Sequence, residues 1–292
     1  MAPHDPILGV TEAFHADPNP NKVNLGVGVY TNDEGKVPVL ECVRRVEQTM
    51  FETQAPKNYL PIDGLKTYDR AVQEVLFGLE STALKEGRVV TAQAIGGTGG
   101  LKIGADLLRR VNPAAEVWIS DPSWENHRAI FEYAGYKVNT YPYYDPATHG
   151  LKFDAMIECL EGLPGGSMVL LHACCHNPTG VDLKADQWER VIQVVKNRGL
   201  VPFLDLAYQG FADGLDADAA AVRRFSDACA TVFVSSSFSK SLSLYGERVG
   251  AFSVVTEDAA EVGKVLSQVK RVIRTNYSSP PTHGGQAVAT VL

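Results

Sequence analysis

The chain has 292 residues, of which 45% are hydrophobic, and it carries a formal net charge of -7. This is enough apolar material for one large domain or two ordinary ones. The acidic balance argues against nucleic acid as a partner, and the apolar runs are too short to cross a membrane. Five cysteines without framework spacing are typical of reduced thiols, so we expect a cytoplasmic protein.

The first 40 residues are rich in proline, asparagine and glycine, which predicts an extended arm or loop. Within it, apolar residues alternate with glycine over residues 25–30. This alternation is typical of a short edge strand, and a small ligand bound against Gly28 is the alternative. Helical spacing follows at Val39–Phe51 and Leu65–Leu79, and a turn-rich segment between them contains Tyr59.

Beyond residue 87, short apolar runs alternate with helical patterns. Strands are predicted at Val89–Ile95, Val117–Ser120, Lys137–Tyr141, Met168–His172, Val201–Leu206, Val232–Ser235 and Gly250–Val255. Helices are predicted from Gly96 to about Arg110, from Trp124, at Ala185–Asn197 and near Ala217–Asp227. Repeated units of this length predict an α/β fold with a mostly parallel sheet covered by helices on both faces.

Such a sheet binds its ligand beyond the carboxyl ends of its strands. Chemistry-bearing residues follow five of the predicted strands. In chain order they are Gly97 and Thr98, Trp124, Asn177, Asp205 with Tyr208, and Ser237 with Lys240. We therefore predict one site at this edge of the sheet.

The segment Ser235–Lys240, followed by Arg248, has the composition of a site for a covalently held cofactor. A lysine that forms a Schiff base must lose its proton, and a nearby cation lowers its pKa. Serine hydroxyls and a guanidinium are groups that hold a phosphate. Two surface cations after a core strand are the alternative interpretation.

Two further motifs are consistent with such a cofactor. Asp205 ends an apolar strand and needs a cationic partner if buried, such as a protonated pyridine nitrogen, although it could instead cap a helix. Tyr208 beside it could be core packing. The glycine run Gly96–Gly100 before a helix favours a bound phosphate, but a plain glycine turn is equally compatible with the sequence.

No metal site is predicted. Adjacent cysteines in Cys174–Gly180 lack zinc spacing, so this segment is interpreted as a rigid loop that presents Asn177. His172 and His127 are expected to be satisfied buried histidines, or histidines that support other site residues, rather than ligands or acid/base groups. On spacing alone, Arg274 is a solvated helix cation.

Taken together, these motifs resemble class I pyridoxal-phosphate aminotransferases of the aspartate and aromatic amino acid group, over about Val23 to Leu292. The shared motifs are Asn58–Pro61, Gly96–Gly99, Asp121–Trp124, Cys174–Gly180, Asp205–Phe211, Ser237–Lys240 and Arg248–Gly250. The segments Ser239–Arg248 and Asn276–Pro281 are more similar to the aromatic branch.

The resemblance implies a role for each matching residue. Lys240 would form the Schiff base with pyridoxal 5'-phosphate and shuttle a proton, Asp205 would keep the ring nitrogen protonated, and Tyr208 would tune the cofactor. The cofactor would also contact Tyr59 of a neighbouring subunit, Gly97, Thr98, Trp124, Asn177, Ser237, Ser239 and Arg248. The substrate would contact Gly28, Trp124, Asn177 and Arg274 of the neighbour, which implies a homodimer with shared active sites.

The resemblance also implies a domain division. Residues 1–47 would form an N-terminal arm and part of a small domain, and residues 48–292 the large cofactor-binding domain. The family continues past the end of this chain with most of the small domain and an arginine for the substrate α-carboxylate. We therefore expect a chain truncated at the C-terminus.

The activity implied is transfer of an amino group between an aromatic amino acid, or aspartate, and a 2-oxo acid such as 2-oxoglutarate. A strict aspartate aminotransferase is the first alternative. A lyase or decarboxylase with the same cofactor and an inactive cofactor-binding dimer are further alternatives. A dehydrogenase is the least favoured, because the glycine run lacks the dinucleotide fingerprint.

Overall fold

A computed structural model describes residues 8–23, 26, 28–54 and 56–292. The chain forms two compact units, Met1–Val39 and Leu40–Leu292. The first contains helix α1, Leu8–Ala16, so the prediction of an extended arm is wrong there. Its prolines lie on either side of this stretch, which leaves the helix uninterrupted. Of the strand predicted over residues 25–30, Gly28–Tyr30 are irregular, and Leu25 and Val27 lie outside the described residues.

The second unit is built on a seven-stranded sheet. Its strands are β1 (Val89–Ile95), β2 (Val117–Asp121), β3 (Val138–Pro142), β6 (Met168–His172), β7 (Val201–Leu206), β8 (Val232–Ser237) and β9 (Val249–Val255). A separate two-stranded ribbon comprises β4 (Tyr144–Asp145) and β5 (Gly150–Leu151). The sheet order is β1-β9-β8-β7-β6-β2-β3. Only β9 is antiparallel to its neighbours, so the predicted mostly parallel sheet is confirmed.

Eleven further helices belong to this unit among the described residues. They are α2 (Glu41–Thr53), α3 (Lys66–Phe77), α4 (Thr82–Lys85), α5 (Gly96–Val111), α6 (Glu125–Tyr133), α7 (Phe153–Glu161), α8 (Ala185–Arg198), α9 (Leu215–Asp218), α10 (Ala220–Ala228), α11 (Ala259–Asn276) and α12 (Thr282–Val291). A short 3-10 helix spans Tyr245–Glu247. No helix in the described part of the chain is both long and apolar enough to span a membrane.

Helices cover both faces of the sheet. Successive strand residues point to opposite faces, so Phe233 packs in one apolar cluster and Val234 in the other. The first cluster includes residues of α5, α6 and α11, and the second includes residues of α3, α7, α8 and α10. Burial on both faces explains why the central strands β6, β7 and β8 each begin with a continuous apolar run.

The reversed direction of β9 matters for the site. Its first residue, Val249, pairs with Ile95 at the end of β1. The Gly96 N–H donates to the Arg248 carbonyl oxygen at 3.0 Å. An antiparallel strand thus brings Arg248 to the edge where the parallel strands end.

Candidate active site

Most of the predicted site residues follow strand ends at one edge of the sheet. Gly97 and Thr98 open α5 directly after β1, and Trp124 immediately precedes α6 after β2. Asn177 follows β6, Asp205 and Tyr208 lie at the end of β7, and Ser237, Ser239 and Lys240 end or follow β8. The topology therefore places these nine predicted residues, together with Arg248, at the predicted edge.

A cradle of donor groups lies between β1, β8 and β9. A Cβ on Gly97 would lie 3.2 Å from Ser237 Cβ, and one on Gly96 would lie 2.5 Å from Arg248 Nη2. Arg248 Nη1 donates to Ser239 Oγ at 3.3 Å and to the Tyr245 carbonyl oxygen at 3.0 Å. The first N–H groups of α5 have no partner within the helix. Glycines, hydroxyls, a helix N-terminus and a guanidinium are the donor set that binds phosphate.

The Asp205 carboxylate is buried, with 6% of the residue exposed. His127 Nε2 lies 2.9 Å from Asp205 Oδ2, and His127 Nδ1 lies 2.8 Å from Ser123 Oγ. Both bonds fix the orientation of the imidazole, which is fully buried. His127 therefore holds the carboxylate in place, as a partner for a cation at this edge.

The histidines differ from the prediction in one respect. His127 has partners for both nitrogens, as expected, but neither nitrogen of His172 has a partner among the described residues. His172 is flanked by the rings of His127 and His176, with centroids 5.1 and 4.2 Å away. These neighbours direct their own nitrogens elsewhere, because His176 bonds Ser120 and Thr179. Burial therefore lowers the pKa of His172 well below its usual value.

The structure also brings His127, His172 and Asp205 within reach of one another, with potential metal-ligating atoms within 4.8 Å. The sequence did not predict this cluster, because its members come from separate elements. One of its nitrogens, His127 Nε2, is already bonded to Asp205.

The loop of Cys174–Gly180 is held by hydrogen bonds. The backbone N–H groups of Cys175 and His176 donate to the Asp182 carboxylate at 2.6 and 2.7 Å. The His176 ring stacks on Tyr143 with centroids 4.0 Å apart. Asn177, which follows, is half-buried. The rigid loop predicted for this segment is what these contacts produce.

Lys240 is half-buried, and its Nζ lies 5.0 Å from the centroid of the Tyr208 ring. Burial lowers the pKa of the Lys240 amine, the Asp205 charge raises it, and the Arg248 charge lowers it. Burial first, and then the Asp205 charge, raise the pKa of the Tyr208 hydroxyl. Lys240 is therefore biased towards the neutral amine that a nucleophile requires, while Tyr208 keeps its proton as a donor.

Three predicted residues lie on other segments of the chain. Tyr59 lies in the loop before α3 and is 99% exposed. Arg274 lies in the last turn of α11, where its guanidinium contacts Ser278 Oγ. Gly28 belongs to the first compact unit, and a Cβ there would meet nothing within 4 Å.

Sequence reasoning missed Ser123 as the partner that orients His127. The signal available was the spacing of Ser123 and His127, four residues apart at the start of a predicted helix. It also missed Gln93, a buried polar residue inside a strand of otherwise small or apolar residues.

These residues fit pyridoxal 5'-phosphate, the cofactor implied by the sequence motifs. A Cβ on Gly96 or Gly97 would crowd the Arg248 or Ser237 side chain, and the cradle supplies phosphate donors. The buried Asp205 suits a protonated ring nitrogen, and His172 leaves buried nitrogens without partners beside it. Lys240, with its lowered pKa, suits a covalent bond to an aldehyde.

Comparison with known proteins gives a consistent assignment. The profile of the family "Aminotransferase class I and II" matches residues 20–292. The aspartate aminotransferase of Pseudomonas aeruginosa is 61% identical over 292 residues, which cover all of this chain and 73% of that protein. The aromatic-amino-acid aminotransferase of Escherichia coli is 51% identical over 289 residues, covering 99% of this chain and 73% of that protein.

A solved structure shows the same fold. The aromatic-amino-acid aminotransferase from Burkholderia pseudomallei, covalently bound to pyridoxal phosphate, superposes with a TM-score of 0.96 at 63% identity. The match covers 99% of this chain and 72% of that one. The chain therefore belongs to the class I and II aminotransferase family.

Proposed function

We propose that this chain uses pyridoxal 5'-phosphate to move an amino group between an aromatic amino acid, or aspartate, and a 2-oxo acid such as 2-oxoglutarate. The main support for this proposal is that Lys240, Asp205 and Arg248 lie at one edge of the sheet. The lysine pKa is lowered, the carboxylate is buried against His127, and the guanidinium lies in a glycine-walled cradle.

Each residue of the edge has a role in holding the cofactor. The N–H groups of Gly97 and Thr98, the hydroxyls of Ser237 and Ser239 and the Arg248 guanidinium would bind its phosphate. Trp124 would lie against one face of its ring. Asn177 and Tyr208 would donate hydrogen bonds to its ring hydroxyl oxygen, since the Tyr208 hydroxyl has a raised pKa and stays protonated.

Bound pyridoxal 5'-phosphate supplies a carbonyl that takes up the amino group and a ring that withdraws electrons from the substrate α-carbon. The protein supplies the proton chemistry. Asp205, held by His127, would keep a proton on the ring nitrogen. Lys240 would hold the cofactor before the substrate arrives and, as a free amine, would then accept and return the proton of the substrate α-carbon.

The substrate class follows from the relatives. The curated relatives are named for aspartate, tyrosine or aromatic amino acids. We therefore propose a broad preference, in which Trp124 and Asn177 contact the substrate. Gly28 and Arg274 would complete the substrate site, with Arg274 binding a side-chain carboxylate. A strict aspartate enzyme is the runner-up, because an aspartate aminotransferase is 61% identical to this chain.

We further propose a homodimer in which Tyr59 and Arg274 act in the partner's site. Both are exposed in their own subunit. The proposed division into a 1–47 arm with part of a small domain and a 48–292 large domain accompanies this arrangement. A cytoplasmic location is supported by the five cysteines, all of which are free thiols.

The test is an absorbance titration of the purified chain with pyridoxal 5'-phosphate, followed by tyrosine or aspartate. The expected result is a visible band from lysine-bound cofactor that each amino acid bleaches, with stoichiometric 2-oxo acid formed. Lys240→Ala should lose the band, whereas Lys264→Ala, at an exposed position on α11, should keep it. A band retained in Lys240→Ala would refute the role of this lysine.

The same titration separates the alternatives. Bleaching by aspartate and glutamate but not by tyrosine or phenylalanine would indicate the strict aspartate enzyme. Ammonia or carbon dioxide released in place of amino-group transfer would indicate a lyase or decarboxylase. Sedimentation of the holoprotein tests the dimer, and a monomer at the assay concentration would contradict it.

A further inference from the structure

Gln93 is a buried glutamine on β1, with 1% of its surface exposed. All of its polar groups are used. Its backbone N–H donates to the Asp63 carbonyl oxygen at 3.0 Å, and its carbonyl oxygen accepts from the Tyr277 hydroxyl at 3.2 Å. Its side-chain Oε1 accepts from the Leu65 N–H at 3.4 Å, and Nε2 donates to the Pro281 carbonyl oxygen at 2.9 Å.

These partners belong to two separate segments. Asp63 and Leu65 end the loop that contains Tyr59, whereas Tyr277 and Pro281 lie between α11 and α12. Because β1 is an edge strand, its outward backbone groups are available to bind these segments rather than another strand. Gln93 thus joins two segments that are more than 200 residues apart in the chain.

Two glycines, one in the loop that contains Tyr59 and one in α12, lie in direct contact with the Gln93 side chain. A Cβ on Gly64 would lie 2.4 Å from Gln93 Cβ, and one on Gly285 would lie 2.4 Å from Gln93 Nε2. Gly64 has a φ of +96°, a conformation that favours glycine. A direct bond from Thr282 Oγ1 to the Asn58 carbonyl oxygen, 3.3 Å long, adds a second link.

The loop that contains Tyr59 is therefore fixed on both sides of this residue. Thr282 holds Asn58, directly before it, and Gln93 holds Leu65, six residues after it. Between these points, the Gly64 N–H donates to the Pro61 carbonyl oxygen at 2.9 Å and closes a turn. The Tyr59 side chain itself is 99% exposed, so its own packing does not orient it. Its direction depends on the backbone that these contacts hold.

We propose that Gln93 is a positioning residue for Tyr59, which it presents in one orientation to the cofactor phosphate of the partner subunit. The inference rests on the proposed function, because it needs Tyr59 to act in the partner's site. A phosphate donor that is fixed before binding loses less conformational freedom when the cofactor binds. Loosening the Gln93 contacts therefore weakens cofactor binding without removing any group that touches the cofactor.

The experiment measures the dissociation constant of pyridoxal 5'-phosphate for the 292-residue chain by absorbance, in Gln93→Met, Tyr59→Phe and the double variant. Gln73→Met is the matched control, because Gln73 also donates from Nε2 to β1, at Val89 and Thr91, but contacts neither segment. Thr282→Val, at a half-buried position, tests the second link with less risk to folding.

Gln93→Met is expected to weaken binding roughly tenfold, the effect of about one lost hydrogen bond, and Thr282→Val by a smaller factor. Gln73→Met should bind as the parent does. The double variant should bind about as weakly as Tyr59→Phe alone, because Gln93 acts through Tyr59. Effects that multiply would overturn the proposal, as would parent-like binding by both Gln93→Met and Thr282→Val.

Tyr59→Phe tests the role of Tyr59 separately from the positioning role of Gln93. If it weakens binding while Gln93→Met and Thr282→Val do not, the role of Tyr59 stands and only the positioning role of Gln93 is wrong. If Tyr59→Phe binds the cofactor as the parent does, the proposed role of Tyr59 and the inference drawn from it are both overturned.

Discussion

Helix α5, whose first turn forms one wall of the cradle, packs directly on the sheet through glycine. A Cβ on Gly104 would lie 2.5 Å from the Phe203 ring and 2.8 Å from the Phe252 ring. These distances are roughly 1 Å shorter than the separation at which carbon atoms pack. The Phe203 ring cannot yield easily, because it packs edge-on against Phe131, Phe233 and Phe252. Gly104→Ala should therefore displace the helix from the sheet.

The size of the effect follows from a comparison with Gly263→Ala. Gly263 lies exposed in α11, and a Cβ there would meet nothing within 4 Å. Both substitutions replace glycine by alanine inside a helix and share a gain of about 1 kcal/mol in helix propensity. The difference between the free energies of unfolding of the two variants therefore measures the overpacking at Gly104, which costs about 1–3 kcal/mol. We expect Gly263→Ala to stabilise the protein and Gly104→Ala to be less stable than it by that difference.

Urea unfolding followed by circular dichroism measures the two free energies, with the parent chain measured alongside. A displaced α5 also moves the N–H groups of Gly97 and Thr98, so Gly104→Ala should bind pyridoxal 5'-phosphate more weakly, whereas Gly263→Ala should not. If Gly104→Ala proves as stable as Gly263→Ala, the close packing of α5 on the phenylalanine cluster is wrong.

Three further predictions concern charged groups. Asp205→Asn removes the partner of the ring nitrogen and should slow amino-group transfer roughly a thousandfold in single-turnover assays. Asp154→Asn, at an exposed position, should leave the rate unchanged. Equal rates for the two variants would refute the role of Asp205. Burial lowers the pKa of Lys240, and the Arg248 charge lowers it further. Arg248→Gln removes that charge, so the pH midpoint for chemical labelling of the Lys240 amine should rise. An unchanged midpoint would contradict this effect of Arg248. Burial raises the pKa of Asp69 to about 7, so the folded chain keeps a proton that the unfolded chain loses near pH 4. The free energy of unfolding should thus fall as the pH rises between these values, and Asp69→Asn should flatten the dependence; equal slopes would show that Asp69 does not titrate in this range.

Much of the sheet could be predicted because its chemistry is local. The runs Met168–Leu171 and Val201–Leu204 are continuously apolar, as expected of strands buried on both faces, and the structure has strands at the predicted bounds Met168–His172 and Val201–Leu206. The carboxyl-end rule then predicted the edge where Lys240 and Asp205 lie. By contrast, α1 was missed because its neighbouring prolines and asparagines dominate the composition of the arm.

The fold class, the residue types of the cradle and the family motifs could all be predicted from the sequence, since they depend on local patterns of burial and spacing. Which of these groups meet depends instead on how the elements pack. The direction of β9 brings Arg248 to the edge of Gly96, and packing of α6 brings His127 within 2.9 Å of Asp205, 78 residues later. In the sequence, Gln93 is an ordinary polar residue of a strand. In the fold, two distant segments pack against it. Pairing of this kind depends on strand direction and close packing between elements, which no local pattern encodes.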